Sequence, residues 1–197
     1  MRAASRATAE LRAGSSRAVS ATASMAVSNP QSGSSQLVRV PGGLQHIEVR
    51  AGQQLLGALD PTLSLAHVNS LVIAEGVPQW LGSVTPDTGQ AAPSRANLRM
   101  INVVGPNGDP PNLLDVLVKA PNPNPDSVMT FGLDSRVASY GTLMYFDPGA
   151  FQFRYVPDGG GATLAEVSFS VAAGEKKAVV LERNANGSYR ATVVLEP

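Results

Sequence analysis

The chain has 197 residues, enough for one large domain or two small domains of about 100 residues each. Charged residues make up only 15% of it, but the 43% of hydrophobic residues is typical of a packed core, which excludes disorder over most of the chain. The 15 basic and 15 acidic residues balance, so no net field attracts nucleic acid or an acidic membrane surface.

The residue types that are missing exclude further classes of function. There is no cysteine, which removes disulfides, thiolate nucleophiles and cysteine-ligated metals. The two histidines, His46 and His67, do not form a His-x-x-x-His pair. No apolar stretch approaches the roughly 20 residues that span a bilayer. We therefore expect no cofactor, no metal site and no membrane span, with stability supplied by apolar cores alone.

Residues 1–33 allow more than one interpretation. Four arginines lie there among Ala, Ser and Thr, and Glu10 is the only acid, as in an organelle-targeting presequence. The same segment also reads as two short strands, at 7–13 and 18–27, separated by Gly and Ser. A partly disordered arm is the third alternative. The internal repeat described next favours the strands.

A hairpin pattern occurs twice in the chain. A Pro-Gly-Gly turn at 41–43 and a Pro-Gly-Ala turn at 148–150 each lie between alternating segments. After the second turn, Phe151, Phe153 and Tyr155 point to one side of a strand, and the residues that alternate with them, Gln152, Arg154 and Val156, point to the other. The match continues downstream and upstream, pairing residues 62–65 with 168–171, 71–73 with 178–181, 80–84 with Tyr189–Leu195, and Ala9–Gly14 with a region near 114–120.

These short alternating segments, with 19 Gly and 15 Pro, predict an all-β protein. We interpret it as two tandem immunoglobulin-like antiparallel β-sandwich domains. The first domain covers 1–84 and has a shortened front half, a linker covers 85–95, and the second domain covers 96–197. A single barrel is the competing fold.

The second copy resembles a known family at four segments, which are the strands 98–104 and 114–118, the turn 147–151 and the closing segment 171–181. This is the bacterial envelope repeat family catalogued as domain of unknown function 4397. The resemblance covers nearly all of 96–197, whereas 34–84 matches mainly through the internal repeat. It implies tandem immunoglobulin-like sandwiches and an exported, periplasmic or cell-surface location. It implies no catalytic residues, and the family's signal peptide and lipid-anchoring cysteine are not found in this sequence.

Aromatic side chains supply the strongest candidate binding site. If Tyr145, Phe153 and Tyr155 face solvent on one sheet, they form a platform on which a sugar ring or a partner protein stacks. The alternative is that they fill the core of a sandwich, which is the usual place for such residues. Their exposure therefore decides between a carbohydrate-binding module and a purely structural protein.

Other candidate sites have simpler explanations. A loop calcium site could be assembled from several aspartates, but their spacing matches no known calcium loop. The three glycines at 159–161 lack the strand-to-helix context of a phosphate loop, and a hairpin turn explains them. A hydrolase built on His46 or His67 is the weakest hypothesis, because a catalytic serine needs a base oriented by a third group. The aspartates considered are Asp109, Asp115, Asp134, Asp147 and Asp158.

The function predicted from the sequence is that of a non-enzymatic, exported bacterial structural or adhesive protein. It presents a rigid surface and assembles with itself or another envelope protein, because sparse surface charge and free strand edges favour association. A carbohydrate-binding module that uses exposed aromatics is the alternative.

Overall fold

A computed structural model describes residues 9–14, 22–29, 34–65, 68–74, 77–84, 93–103, 113–121, 128–134, 139–140, 144–184 and 186–196. These residues are all-β, as predicted, and contain no helix. The strands described in the first half of the chain are β1 (Ala9–Gly14), β2 (Thr22–Asn29), β3 (Ser34–Pro41), β4 (Gly43–Leu44), β5 (His46–Ala51), β6 (Gln54–Leu59), β7 (Thr62–Leu63), β8 (Val68–Ala74) and β9 (Val77–Val84).

The second half contributes a similar series. Its described strands are β10 (Ala96–Asn102), β11 (Leu113–Lys119), β12 (Met129–Asp134), β13 (Ser139–Tyr140), β14 (Met144–Phe146), β15 (Gly149–Pro157), β16 (Ala165–Val171), β17 (Lys176–Arg183) and β18 (Tyr189–Leu195). The predicted strand at Leu113–Lys119 is confirmed, and both predicted strands in 1–33 are confirmed as β1 and β2 with shifted ends.

The two halves share one pattern of strand pairing. The first half forms the sheets β3-β2-β8-β9 and β1-β5-β6, and β4 pairs with β7. The second half forms β13-β10-β17-β18, with β14 also on β10, and β12-β11-β15-β16. In each half the central pair, β2–β8 or β10–β17, is parallel, and every other pair is antiparallel. The fold is β-sandwich-like, while the immunoglobulin-like assignment and the domain boundaries stay predictions.

Strand β1 occupies the position that β11 occupies in the second half. It pairs with β5 as β11 pairs with β15, although β1 precedes the parallel strand β2 in sequence and β11 follows the parallel strand β10. One predicted match is wrong, namely that between 62–65 and 168–171. Strand β6, which pairs with β5, is the counterpart of β16, while Thr62–Leu63 pairs with β4.

Each half has its own apolar core. In the first half, alternation along β5 buries Ile47 and Val49, which pack with Leu71 and Ile73 of β8. In the second half, apolar residues of β10, β11, β15 and β17 form a larger core. Its biggest fully buried side chain is Tyr155. The alternation read from the sequence around both turns is confirmed by these burial patterns.

A third apolar cluster joins the halves. Val72 of β8 packs in one cluster with residues of β10, β17 and β18, namely Ile101, Val103, Ala178, Val180 and Val194. The second-half residues of this cluster lie on the faces of their strands that point away from the core of the second half, because members of the two clusters alternate along β10 and β17. Strand β10 is therefore buried on both faces, with one covered by its own half and the other by the first half.

The halves meet through equivalent elements. Strand β3 approaches β18, and β9 approaches β13. Since β13 and β14 pair with β10 as β3 pairs with β2, and β18 is the counterpart of β9, the contact is close to two-fold symmetric. The chain thus contains an internal pair of β-sandwich-like halves packed sheet against sheet.

Candidate functional site

The predicted aromatic platform is not formed. Phe153 and Tyr155 are fully buried, and only Tyr145 is exposed, at 41%. The register explains this, because Phe153 lies opposite Val118 and Tyr155 opposite Val116, on the core side of the sheet. The prediction of an exposed stacking surface at Tyr145, Phe153 and Tyr155 is wrong, and the alternative, that such residues fill the core, is confirmed for Phe153 and Tyr155.

Of the two histidines considered as catalytic residues, the structure describes His46. His46 is exposed, and its Nδ1 lies 2.6 Å from Oδ1 of Asp60. This hydrogen bond, together with the negative charge of Asp60, raises the pKa of His46. The pair is therefore an exposed ion pair. His67 lies outside the described residues.

Three of the five aspartates considered as calcium ligands have described side chains, and each has a different environment. Asp147 forms an ion pair with Arg95 at 2.5 Å, and Asp115 accepts a hydrogen bond from the backbone N–H of Gly159 at 3.2 Å. Asp158 lies in the hairpin turn between β15 and β16, where Gly159 and the next two residues have positive φ. Asp109 and the side chain of Asp134 lie outside the described residues. Among the residues that are described, no three His, Cys, Asp or Glu side chains are grouped to hold a metal ion.

A groove lies on the outer face of the sheet β12-β11-β15-β16. Its volume is about 330 Å³, and six residues line it: Leu117, Lys119, Val128, Gln152, Arg154 and Glu166. The register places these side chains together, because Leu117 is opposite Arg154, Lys119 is opposite Gln152, and Arg154 is opposite Glu166. All lie on the face opposite to the buried Val118 and Phe153. We call this surface the β11–β15 groove.

The charges of the β11–β15 groove are unevenly paired. Gln152 Nε2 donates a hydrogen bond to Glu166 Oε1 at 2.8 Å, diagonally across the strands. Arg154 lies directly opposite Glu166, but it forms no ion pair within 4.0 Å among the described residues. The same holds for Lys119. Both cationic side chains are exposed. The groove therefore offers two positive charges to solvent beside one hydrogen-bonded carboxylate.

The sequence contained part of the signal for this groove. Alternation along β15 placed Gln152 and Arg154 on the face opposite to the aromatics, and the structure confirms this. Lys119 lies far away in sequence, and it joins these residues only through the register of β11 on β15. No short motif connects the three residues, so the sequence alone did not identify the groove.

The contact between the halves is also polar at its two ends. Glu182 and Arg190 form an ion pair at 2.5 Å, and the Glu182 side chain is fully buried. At the other end Arg99 Nε lies 3.1 Å from Glu196 Oε2, with both side chains about nine-tenths buried. The apolar centre, with Ile101 and Val180, lies between them. Both ion pairs join residues of the second half, and each has a largely buried carboxylate, so they do not form an accessible site.

Comparison with known proteins adds no identification. No family model matches the sequence, and no curated protein matches it significantly. The resemblance to the domain of unknown function 4397 family thus stays a prediction. Within the part of the chain that the structure describes, no helix is long and apolar enough to cross a membrane.

Proposed function

We propose that the protein is a non-enzymatic, exported bacterial structural or adhesive protein that presents a rigid β-sandwich surface and assembles with copies of itself. The exported location rests on the family resemblance found in the sequence. The structural role rests on the contact between the halves, and the assembly rests on exposed apolar side chains.

The observation that carries the proposal is the cluster shared by the two halves. Val72 of the first half is 1% exposed because it packs on residues of β10, β17 and β18. A buried apolar contact between two sandwiches resists hinge motion, whereas a polar linker without such a contact permits it. The chain then presents its outer surfaces in one fixed relative orientation, as a scaffold or an adhesin requires.

Exposed leucines of the first half supply a surface for assembly. Leu44 is 72% exposed and Leu65 is 53% exposed. The side chain of Leu65 packs so closely against Gly42 that a Cβ atom at position 42 would not fit. Leu44 is two residues after Gly42, so the two leucines lie in the same region of the first half. Two large apolar side chains exposed in the same region of the first half favour association with another apolar surface.

Sedimentation velocity over a wide concentration range tests the assembly. We expect the native chain to associate as its concentration rises, and the double variant Leu44→Lys and Leu65→Lys to associate less. Val128→Lys is the matched control, because Val128 is an exposed apolar residue of the other half, at 43%. A native chain that stays monomeric at the highest concentration contradicts the assembly.

Fractionation of cells that produce the protein tests the location. We expect the protein in the periplasmic, cell-surface or extracellular fraction. Recovery of the folded protein only from the cytoplasmic fraction contradicts an exported role. The two tests are independent, since self-association in solution does not depend on where the cell places the protein.

A further inference from the structure

We propose that the β11–β15 groove binds an acidic sugar, that is, a pyranose ring carrying a carboxylate within an anionic polysaccharide. This goes beyond a structural role, because it gives the second half a ligand of defined chemistry. Three features of the groove support it: its net positive charge, its mixture of apolar and hydrogen-bonding surfaces, and its position on strands whose backbone groups are already paired.

The first feature is charge. Arg154 and Lys119 lie on neighbouring strands at diagonal positions of one face, where side chains are about 7 Å apart. Neither is held by an ion pair among the described residues, and Glu166, the one carboxylate in the groove, already accepts a hydrogen bond from Gln152. Two cations beside one hydrogen-bonded carboxylate leave the groove with a net positive charge, which matches a single ligand carboxylate that the guanidinium can bind in a bidentate manner.

The second feature is the mixture of surfaces. Leu117, which lies opposite Arg154 and two residues before Lys119, is half-buried and offers an aliphatic surface. A pyranose ring has an apolar face made of C–H groups and a rim of hydroxyl groups. The C–H face would lie on Leu117, while hydroxyls would meet Gln152 and Glu166, which offer a donor and acceptors for them. The volume of about 330 Å³ is at the small end of ligand pockets.

The third feature separates a sugar from an acidic peptide. Glu166 lies directly opposite Arg154, so a ligand of this groove has to offer a hydrogen-bond donor to Glu166 beside the carboxylate that Arg154 binds. An acidic sugar ring offers both, because it carries hydroxyl groups as well as a carboxylate, whereas the side chains of polyglutamate carry carboxylates alone. The groove also lies on strands in the middle of a sheet, where the backbone groups of β11 and β15 are already paired and cannot add a peptide strand.

Isothermal titration calorimetry with a short oligogalacturonate tests the proposal. The matching neutral galacto-oligosaccharide and a short polyglutamate serve as comparison ligands. We expect saturable binding of the oligogalacturonate, weaker at high salt, and about a tenfold or greater loss of affinity in the double variant Lys119→Ala and Arg154→Ala. Arg39→Ala is the matched control, since Arg39 is an exposed cation of β3 in the other half, and it should bind as the native chain does.

Each outcome decides the proposal. Loss of binding in the double variant only, with an unchanged thermal unfolding midpoint, supports it. Four results overturn it: no saturable binding, equal binding by the double variant, equal binding of the neutral sugar, or equal binding of polyglutamate. Sedimentation of the same double variant reports self-association separately, so failure of the sugar site is distinguishable from failure of the assembly.

Discussion

Arg190 donates two hydrogen bonds to a single carboxylate oxygen of Glu182, from Nε at 2.9 Å and from Nη2 at 2.5 Å. The Glu182 side chain is fully buried, and its other oxygen has no hydrogen-bond partner among the described residues. The buried negative charge therefore depends strongly on Arg190. The two residues lie opposite each other on β17 and β18, on the face that meets the first half.

Removing Arg190 alone should lower the free energy of unfolding more than removing Arg190 and Glu182 together. We expect Arg190→Met to lower the free energy of unfolding by about 3 kcal/mol, because it leaves a buried carboxylate uncompensated. The double variant Arg190→Met and Glu182→Leu should recover most of this loss. Urea unfolding of the native chain, the single variant and the double variant measures both changes in the free energy of unfolding. A single variant that is as stable as the double variant would show that the carboxylate does not depend on Arg190.

The contact between the halves can be weakened at Val72. We expect Val72→Ala to lower the free energy of unfolding by about 2 kcal/mol, since it removes two buried carbon atoms and leaves a cavity. Val128→Ala, at a residue that is 43% exposed, should change it by about 0.5 kcal/mol or less. Urea unfolding measures both. Equal effects at the two positions would contradict the close packing of the halves.

The hydroxyl of Tyr155 is buried and has no hydrogen-bond partner among the described residues. Burial raises the pKa of this hydroxyl, so it stays neutral, but it loses its hydration on folding. We expect Tyr155→Phe to leave the protein as stable or to stabilise it by about 1 kcal/mol. Tyr155→Ala should lower the free energy of unfolding by about 3 kcal/mol or more. Thermal unfolding would contradict this if the phenylalanine variant were clearly less stable than the native chain.

The exposed pair of His46 and Asp60 predicts a pH dependence. The pair raises the folded-state pKa of His46, so its stabilising contribution is fully present below about pH 6.5 and is lost as the pH rises through the folded pKa. Asp60→Asn should return the pKa of His46 towards 6.5. An NMR titration measures this directly, and His67→Asn assigns the two histidine resonances. An unchanged His46 titration in the Asp60 variant would rule out the ion pair.

Much of the fold follows from local sequence patterns, but these patterns do not show which strand faces pack against each other in the contact between the halves. Alternation along β5 and β15 correctly separates Ile47 and Val49, or Phe153 and Tyr155, from their polar neighbours. Alternation cannot tell which of two apolar faces meets its own half and which meets the other. Val180 and Leu181 are both apolar and buried, and only the tertiary structure shows that they belong to different clusters.

The failure of the aromatic platform has a physical reason. Phe153 and Tyr155 share a strand with Gln152 and Arg154, and one of the two faces had to meet water. Charge decides this, because burying an unpaired guanidinium costs far more than burying two aromatic rings gains on the opposite face. The candidate site therefore lies on the polar face of that strand, and its third member, Lys119, comes from a different strand through pairing of distant segments.

Strand β18 lies beside β3 of the first half and belongs to the sheet that covers Val72. During synthesis on the ribosome, the first half emerges long before β17 and β18 do. Val72 therefore has no cover from these strands until they have been made. A chain truncated before β17 would leave this side chain exposed to solvent, and we expect it to aggregate more readily than a chain that contains β18.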